Sequence, residues 1–267
     1  MTALTAPVAA LAVVDPETLV APPGSLALKR DTLHIWAFTL EGTSEFVALC
    51  RHCLSSEEQH RADRFVFARD RIHYTVAHGV LRHLLGGYCD SAPESVQFST
   101  TAAGKPVLQS PAGNAVGIHF NLTHSGGRAL LGVSRGREMG IDLEEVRSNI
   151  EALAISRNYF FGSERAAIEG APSAMRDNMF FRYWVAKEAV LKAQGVGLGF
   201  PLDRFRVDFL PGGHAAHIET LEPERLERGW TVRMLPCDAG WFSAVAARGE
   251  DWDVKTESPL VTDRPHL

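Results

Sequence analysis

The stretch from about Arg176 to Gln194 reads as one long helix, and Gly195-Val196-Gly197 stops it. At helical spacing Phe181, Trp184, Val185, Glu188, Leu191 and Lys192 share one stripe, which the large apolar groups should turn inward. Glu188 stands in the middle of that stripe, where a plain core would hold leucine. A buried carboxylate needs a partner, because burying it unpaired is costly. Lys192, one turn on, is one candidate. A divalent cation shared with other acids is another. If the stripe is narrower than drawn, Glu188 and Lys192 form an ordinary surface pair.

Further acids lie on a predicted strand, Gly140-Ile141-Asp142-Leu143-Glu144. Period two places Asp142 and Glu144 on one face and turns Ile141 and Leu143 into a core. Adjacent carboxylates repel unless something positive lies between them. A hard divalent cation with oxygen ligands would serve, and a solvated strand face is the alternative. Phe120 to Gly127 places Thr123, His124 and Ser125 in a glycine-rich loop after a strand, whose N–H groups can cradle phosphate. A serine nucleophile at Ser125 is the rival use, but a nucleophile elbow needs glycine where Thr123 stands. Lys105, between Gly104 and Pro106, sits in a turn and is placed to meet an anion, unless the turn is only a turn. Arg61, Arg64, Arg69, Arg71 and Arg82 form a basic series, part solvated and part available for phosphate. Gly195 to Gly199 resembles a dinucleotide fingerprint but follows a helix, so its context is wrong.

The rest of the chain predicts an α+β protein of two halves with similar layouts. Residues 1–32 read as a loose extension, 33–135 as the first half, 136–248 as the second, and 249–267 as a disordered tail. In the first half, a strand at Leu33–Phe38 precedes a helix opened by Ser55-Ser56-Glu57-Glu58. A second helix runs from about Arg69 to Leu85 and ends at Gly86-Gly87. Strands follow near Val96–Ser99, Val107–Leu108, Ile118–Leu122 and Ala129–Ser134, the third and fourth joined by a loop at 123–127, and the strand near Met139–Leu143 opens the second half. In the second half, a helix near Ser163–Glu169 precedes the long one, and strands follow near Phe205–Phe209, Thr231–Leu235 and Phe242–Ala246.

The net charge of -5 over 267 residues argues against a general nucleic-acid binder, so a polyanionic ligand would need a local basic pocket. The 4 cysteines are too few for a disulfide scaffold, and Cys50-Arg51-His52-Cys53 has no second pair to complete a zinc tetrad. The first residues lack a basic region before their apolar stretch, which Pro7, Asp15 and Pro16 interrupt. No signal peptide and no membrane span are expected, and the expected compartment is the cytoplasm.

Taken together, GIDLEE (140–145), WVAKEAVLKAQGVGLGF (184–200), GKPVL (104–108), FNLTHSGG (120–127) and RADRFVFARD (61–70) resemble the 4'-phosphopantetheinyl transferases of the surfactin-synthetase-activating type. The resemblance spans about Leu54 to Phe209, and KAQGVGLGF is also similar to broad-range eukaryotic and pseudomonad members. It implies Mg²⁺, with Mn²⁺ as a substitute, held by Asp142, Glu144 and Glu188. It implies a catalytic set of Asp142, Glu188 and Lys192. Coenzyme A phosphates would meet Lys105, Thr123, His124 and Lys192, and Arg61 would receive the 3'-phosphate. Glu58 stands where the family is often basic. The implied fold is a pseudo-twofold pair of α+β halves with coenzyme A in the cleft. The implied activity moves phosphopantetheine to a serine of an apo acyl or peptidyl carrier protein, by a monomer that needs no nucleic acid or membrane. A serine hydrolase using Ser125 and an inactive coenzyme A-binding module are the alternatives.

Overall fold

The computed structural model describes residues 8–19, 26–109, 117–147 and 150–256. The first elements are β1 (Val13–Val14), β2 (Thr32–Thr39), α1 (Ser44–Cys53), α2 (Ser56–Asp63), α3 (Ala68–Cys89), β3 (Gln97–Thr100), β4 (Pro106–Gln109), β5 (Ile118–Ser125), β6 (Arg128–Arg135) and β7 (Met139–Glu145). There follow α4 (Ala152–Tyr159), α5 (Gly162–Gly170), α6 (Arg176–Gln194), β8 (Phe205–Phe209), β9 (Ala215–Thr220), β10 (Trp230–Leu235), β11 (Trp241–Arg248) and β12 (Asp253–Lys255).

One sheet has the order β1-β2-β6-β5, with β12 also paired to β2; a second has the order β7-β11-β10-β9-β8. Alternation along the strands sorts the side chains into layers. Trp36 and Phe38 of β2 pack with Val76, Val80 and Leu84 of α3. Their neighbours Ile35 and Ala37 join Ile141 and Leu143 of β7 and Val245 and Ala247 of β11 in a core between the sheets. On the other face of β11, Ala244 and Ala246 pack with Val185 and Ala189 of α6. The layers are therefore helix, sheet, sheet, helix, in two sheet-and-helix halves.

Local signals explain the element ends. Thr43 caps α1 by accepting from the Phe46 amide, and Ser55 and Glu58 form a reciprocal capping box on α2. Glu58 also accepts from the Arg82 Nε at 2.8 Å, and Arg82, 3% exposed, donates onward to the Val96 carbonyl. Glu58 is thus the half-buried anchor of a buried arginine. Between β7 and α6 the backbones nearly touch at Gly140. A Cβ there would stand 2.2 Å from the Ala193 nitrogen and 2.3 Å from the Ala189 oxygen, so only glycine fits.

Several expectations are corrected. Helix α3 runs through Gly86-Gly87 to Cys89 and ends at Asp90, whose φ of 52° is left-handed. Strand β5 continues to Ser125, so the expected five-residue loop shrinks to Gly126-Gly127, with φ of 50° and 82°. Two positive φ values suit a two-residue hairpin turn. Helix α6 is buried on more than one side: Phe180, Phe181, Val185, Ala186, Ala189, Val190 and Leu191 are all covered, while Trp184, Glu188 and Lys192 form a half-buried flank. The extension is not wholly loose, because Val13-Val14 pairs with Ala37-Phe38 and Leu19 is buried. The tail is not wholly disordered either. Asp253–Lys255 pairs with Thr32–His34, and Trp252 is 1% exposed and donates to the Gly249 carbonyl. Residues 1–7, 20–25 and 257–267 lie outside the described residues. Elements α1, α4, β1, β9 and β12 were not expected from the sequence.

Candidate active site

At one border of the packed sheets β5 passes close to β7, and side chains make the seam. Alternate residues of β5 all turn to it. Asn121 Oδ1 accepts from the Ile141 amide at 2.8 Å, Thr123 Oγ1 donates to Asp142 Oδ1 at 3.3 Å, and Ser125 Oγ donates to Glu144 Oε2 at 2.9 Å. Helix α6 adds Lys192, whose Nζ donates to Asp142 Oδ1 at 2.5 Å and to Thr123 Oγ1 at 3.0 Å. Lys192 therefore pairs with Asp142; the sequence had offered Glu188 as its partner.

Three acids gather here. Asp142 is 2% exposed, and burial pushes its carboxyl up to about 6 against the pull of Lys192. Burial also pushes Glu188 up to about 7, reinforced by the negative charges of Asp142 and Glu144 and opposed by Lys192. Asp142 Oδ2 and Glu188 Oε1 are buried without a hydrogen-bond partner. Two orphaned carboxylate oxygens with raised proton affinity mark a place short of positive charge. The donor set, all carboxylate oxygen, suits a hard divalent cation. Among the described residues no three acid, histidine or cysteine side chains already stand in metal-holding geometry. Lys192 occupies one oxygen of Asp142 in this arrangement.

On the other face of β5, His124 follows Phe120 and Leu122 toward α3. His124 is exposed, yet the protein around its ring holds it below the usual histidine range, with Lys192 and His73 acting the same way and Glu144 against. His78 of α3 is pushed down to about 4, chiefly by burial. Its ring stacks on Tyr74 at 3.9 Å, and the Arg61 guanidinium lies over that tyrosine at 5.7 Å. Arg61, Tyr74 and His78 thus form a continuous line from α2 along α3, and His124 of β5 lies near enough to His78 for a positive charge on it to hold the His78 ring down. Sequence reasoning missed Tyr74 and His78, whose only signal is their four-residue spacing on α3. Lys105 donates to the Ala193 carbonyl at 2.6 Å and the Met139 carbonyl at 3.3 Å, which ties the β3–β4 turn to the end of α6. Burial lowers its pKa.

Over residues 138–245 the chain matches the 4'-phosphopantetheinyl transferase superfamily, and over residues 41–134 the family described as 4'-phosphopantetheinyl transferase, N-terminal. It is 33% identical over 235 residues to the 4'-phosphopantetheinyl transferase HetI of Nostoc sp., spanning 87% of this chain and 94% of that protein. The chain belongs to the 4'-phosphopantetheinyl transferase superfamily. The transferase is also 30% identical over 245 residues to the human L-aminoadipate-semialdehyde dehydrogenase-phosphopantetheinyl transferase, covering 85% of this chain and 79% of the human one. With the 4'-phosphopantetheinyl transferase psf-1 of Bacillus pumilus it shares 30% identity over 196 residues, 73% of this chain and 79% of that one.

This membership disfavours the serine hydrolase, and so does the geometry. Ser125 is 7% exposed and its hydroxyl is spent on Glu144 and on the Glu145 amide. Lys187, beside Glu188 in the transferase sequence, plays a different part from its neighbour. It is fully buried and donates to Glu164 at 2.9 Å, to the Leu202 carbonyl at 2.8 Å and to the Phe205 carbonyl at 2.7 Å. This pins one side of α6 to α5 and β8, and leaves Glu188 on the side of the acids. Among the described residues no helix of the transferase is long and apolar enough to cross a membrane.

Proposed function

We propose that this enzyme, acting as surfactin-synthetase-activating transferases do, moves the 4'-phosphopantetheine arm of coenzyme A to a serine of an apo acyl or peptidyl carrier protein. The leaving product is 3',5'-ADP. The observation that carries the reading is the pair of orphaned carboxylate oxygens on Asp142 and Glu188 beside Glu144 at the β5–β7 seam. In this reading Asp142, Glu144 and Glu188 hold Mg²⁺, or Mn²⁺ in its place. When bound, the ion neutralises charge on the pyrophosphate and on the transferring phosphoryl group.

The chain's own residues do the rest. Lys192, with Thr123 beside it, is placed to donate to the same phosphate oxygens. His124 and Lys105 extend that contact, and Lys105 must leave the Ala193 carbonyl to do so. Arg61, held over Tyr74, takes the 3'-phosphate, without help from position 58, where Glu58 stands. Glu188, directly or through a water, accepts the serine proton. The serine oxygen then bonds to the β-phosphorus, and the bond from that phosphorus to the bridging oxygen breaks. We further propose that the protein acts as a cytoplasmic monomer, with residues 33–135 and 136–248 as its two halves.

The test is intact-mass analysis of apo carrier proteins incubated with coenzyme A and Mg²⁺. One added phosphopantetheine is expected with the wild type. Asp142→Ala should lose on the order of 10²-fold or more in rate while staying folded. A wild type inert toward acyl and peptidyl carriers alike, or an Asp142→Ala variant at full rate, overturns the reading.

A further inference from the structure

The connection between α2 and α3 carries the two most exposed large apolar side chains among the described residues, Val66 at 90% and Phe67 at 68%. A soluble protein rarely leaves such a pair side by side in water without a use. The pair has a distinct electrostatic setting. The chain as a whole carries a net charge of -5, yet residues 61–71 hold Arg61, Arg64, Arg69 and Arg71 against only Asp63 and Asp70. All four arginines are exposed, and Asp63 is already engaged by Arg51 at 2.9 Å. A small basic, apolar patch thus stands on an acidic protein.

Its place in the fold links it to the site. Phe67 is the residue just before α3, and His73 lies six residues on, about 9 Å along the helix axis. The His73 Cε1 stands 3.8 Å from where a Cβ on Gly127 would lie, at the turn that follows His124. The patch is therefore less than two turns of helix α3 away from the β5–β6 turn.

Resting on the transfer reading above, we infer that Val66 and Phe67, ringed by Arg64, Arg69 and Arg71, are the docking surface for the carrier protein. The partner is a helix that presents an apolar side chain flanked by carboxylates, next to the acceptor serine. The apolar pair supplies the contact area, and the arginines select an acidic surface and speed its approach. The binding machinery assigned above does not use either apolar residue.

The experiment compares wild type with the double variant Val66→Ser/Phe67→Ser. Both side chains are exposed, so folding should not suffer. Phe67 holds the cap position of α3 without a side-chain cap bond, and serine there should strengthen the helix start. Affinity is read by fluorescence anisotropy on labelled apo acyl carrier protein and on an apo peptidyl carrier domain. KM is read for carrier and for coenzyme A separately. We expect the Kd and KM for carrier to rise tenfold or more, with the KM for coenzyme A unchanged. An unchanged carrier Kd in the variant overturns the inference. So does a wild-type dimer that the variant splits with carrier affinity intact, because the patch then serves a second copy of this chain. A wild type that binds carrier without modifying it counts against the transfer reading alone, and the Kd comparison still decides the surface.

Discussion

Replacing Glu188 by glutamine should make the metal-free protein more stable while removing its activity. The Glu188 carboxyl rises from 4.5 to about 7 on folding. Each pH unit of that rise is about 1.4 kcal/mol, so at pH 8 the ionised form costs the fold about 3 kcal/mol. Glutamine has the same shape without the charge, but its amide still needs partners, which returns about 1 kcal/mol. The net gain of about 2 kcal/mol corresponds to roughly 4–8 °C in Tm for a chain of this size. The sign follows from the direction of the shift. An acid whose folded pKa is raised costs nothing below its unfolded value near 4.5, and its penalty grows to about pH 7 and is constant above. Melting curves by circular dichroism in EDTA at pH 8 and pH 5 should therefore show a clear gain for Glu188→Gln at pH 8 and none at pH 5, where the remaining penalty of about 0.8 kcal/mol is offset by the amide. Added Mg²⁺ should raise the wild-type Tm more than that of the variant. Equal or lower Tm for the variant at pH 8 in EDTA would refute the account of Glu188 as a buried, repelled carboxylate.

Lys187→Met should cost about 3–5 kcal/mol in urea unfolding, because it leaves Glu164, 1% exposed, charged without its ion-pair partner. Adding Glu164→Met should restore part of that loss, and a double variant no better than the single one would show that the pair is not a unit. Gly140→Ala should lower stability by about 1–3 kcal/mol by forcing α6 off β7. It should also cut activity, since Glu188 and Lys192 ride on that helix; full activity at reduced Tm would separate the contact from the site.

The elements that carried their own signals were legible. The alternation of Ile141 and Leu143 against Asp142 and Glu144 gave β7, and Ser55 with Glu58 marked the start of α2. The long helix was placed within its observed bounds because glycine at 195 ends it. What the sequence hid was set by tertiary packing. Gly86-Gly87 looks like a stop because glycine costs a helix about 1 kcal/mol each, but burial of Leu84, Leu85 and Tyr88 carries α3 past them. Nothing near Lys187 in the sequence announces its burial, since lysine is almost never fully buried unless paired. Its partner Glu164 lies 23 positions away on another helix, a pairing that spacing cannot announce. The choice between Glu188 and Asp142 as the partner of Lys192 was likewise fixed by where β5 and β7 meet.

The outer edge of β2 has one further consequence. Val13-Val14 covers its Ala37-Phe38 end and Asp253–Lys255 covers its Thr32–His34 end, both in parallel register. An uncovered edge strand offers a row of free amides and carbonyls on which a neighbouring molecule can add its own strand. The protein occupies that template with the two ends of its own chain. Trimming either end back to what looks like the folded body would open part of the row, and the first symptom to look for is self-assembly in concentrated solution.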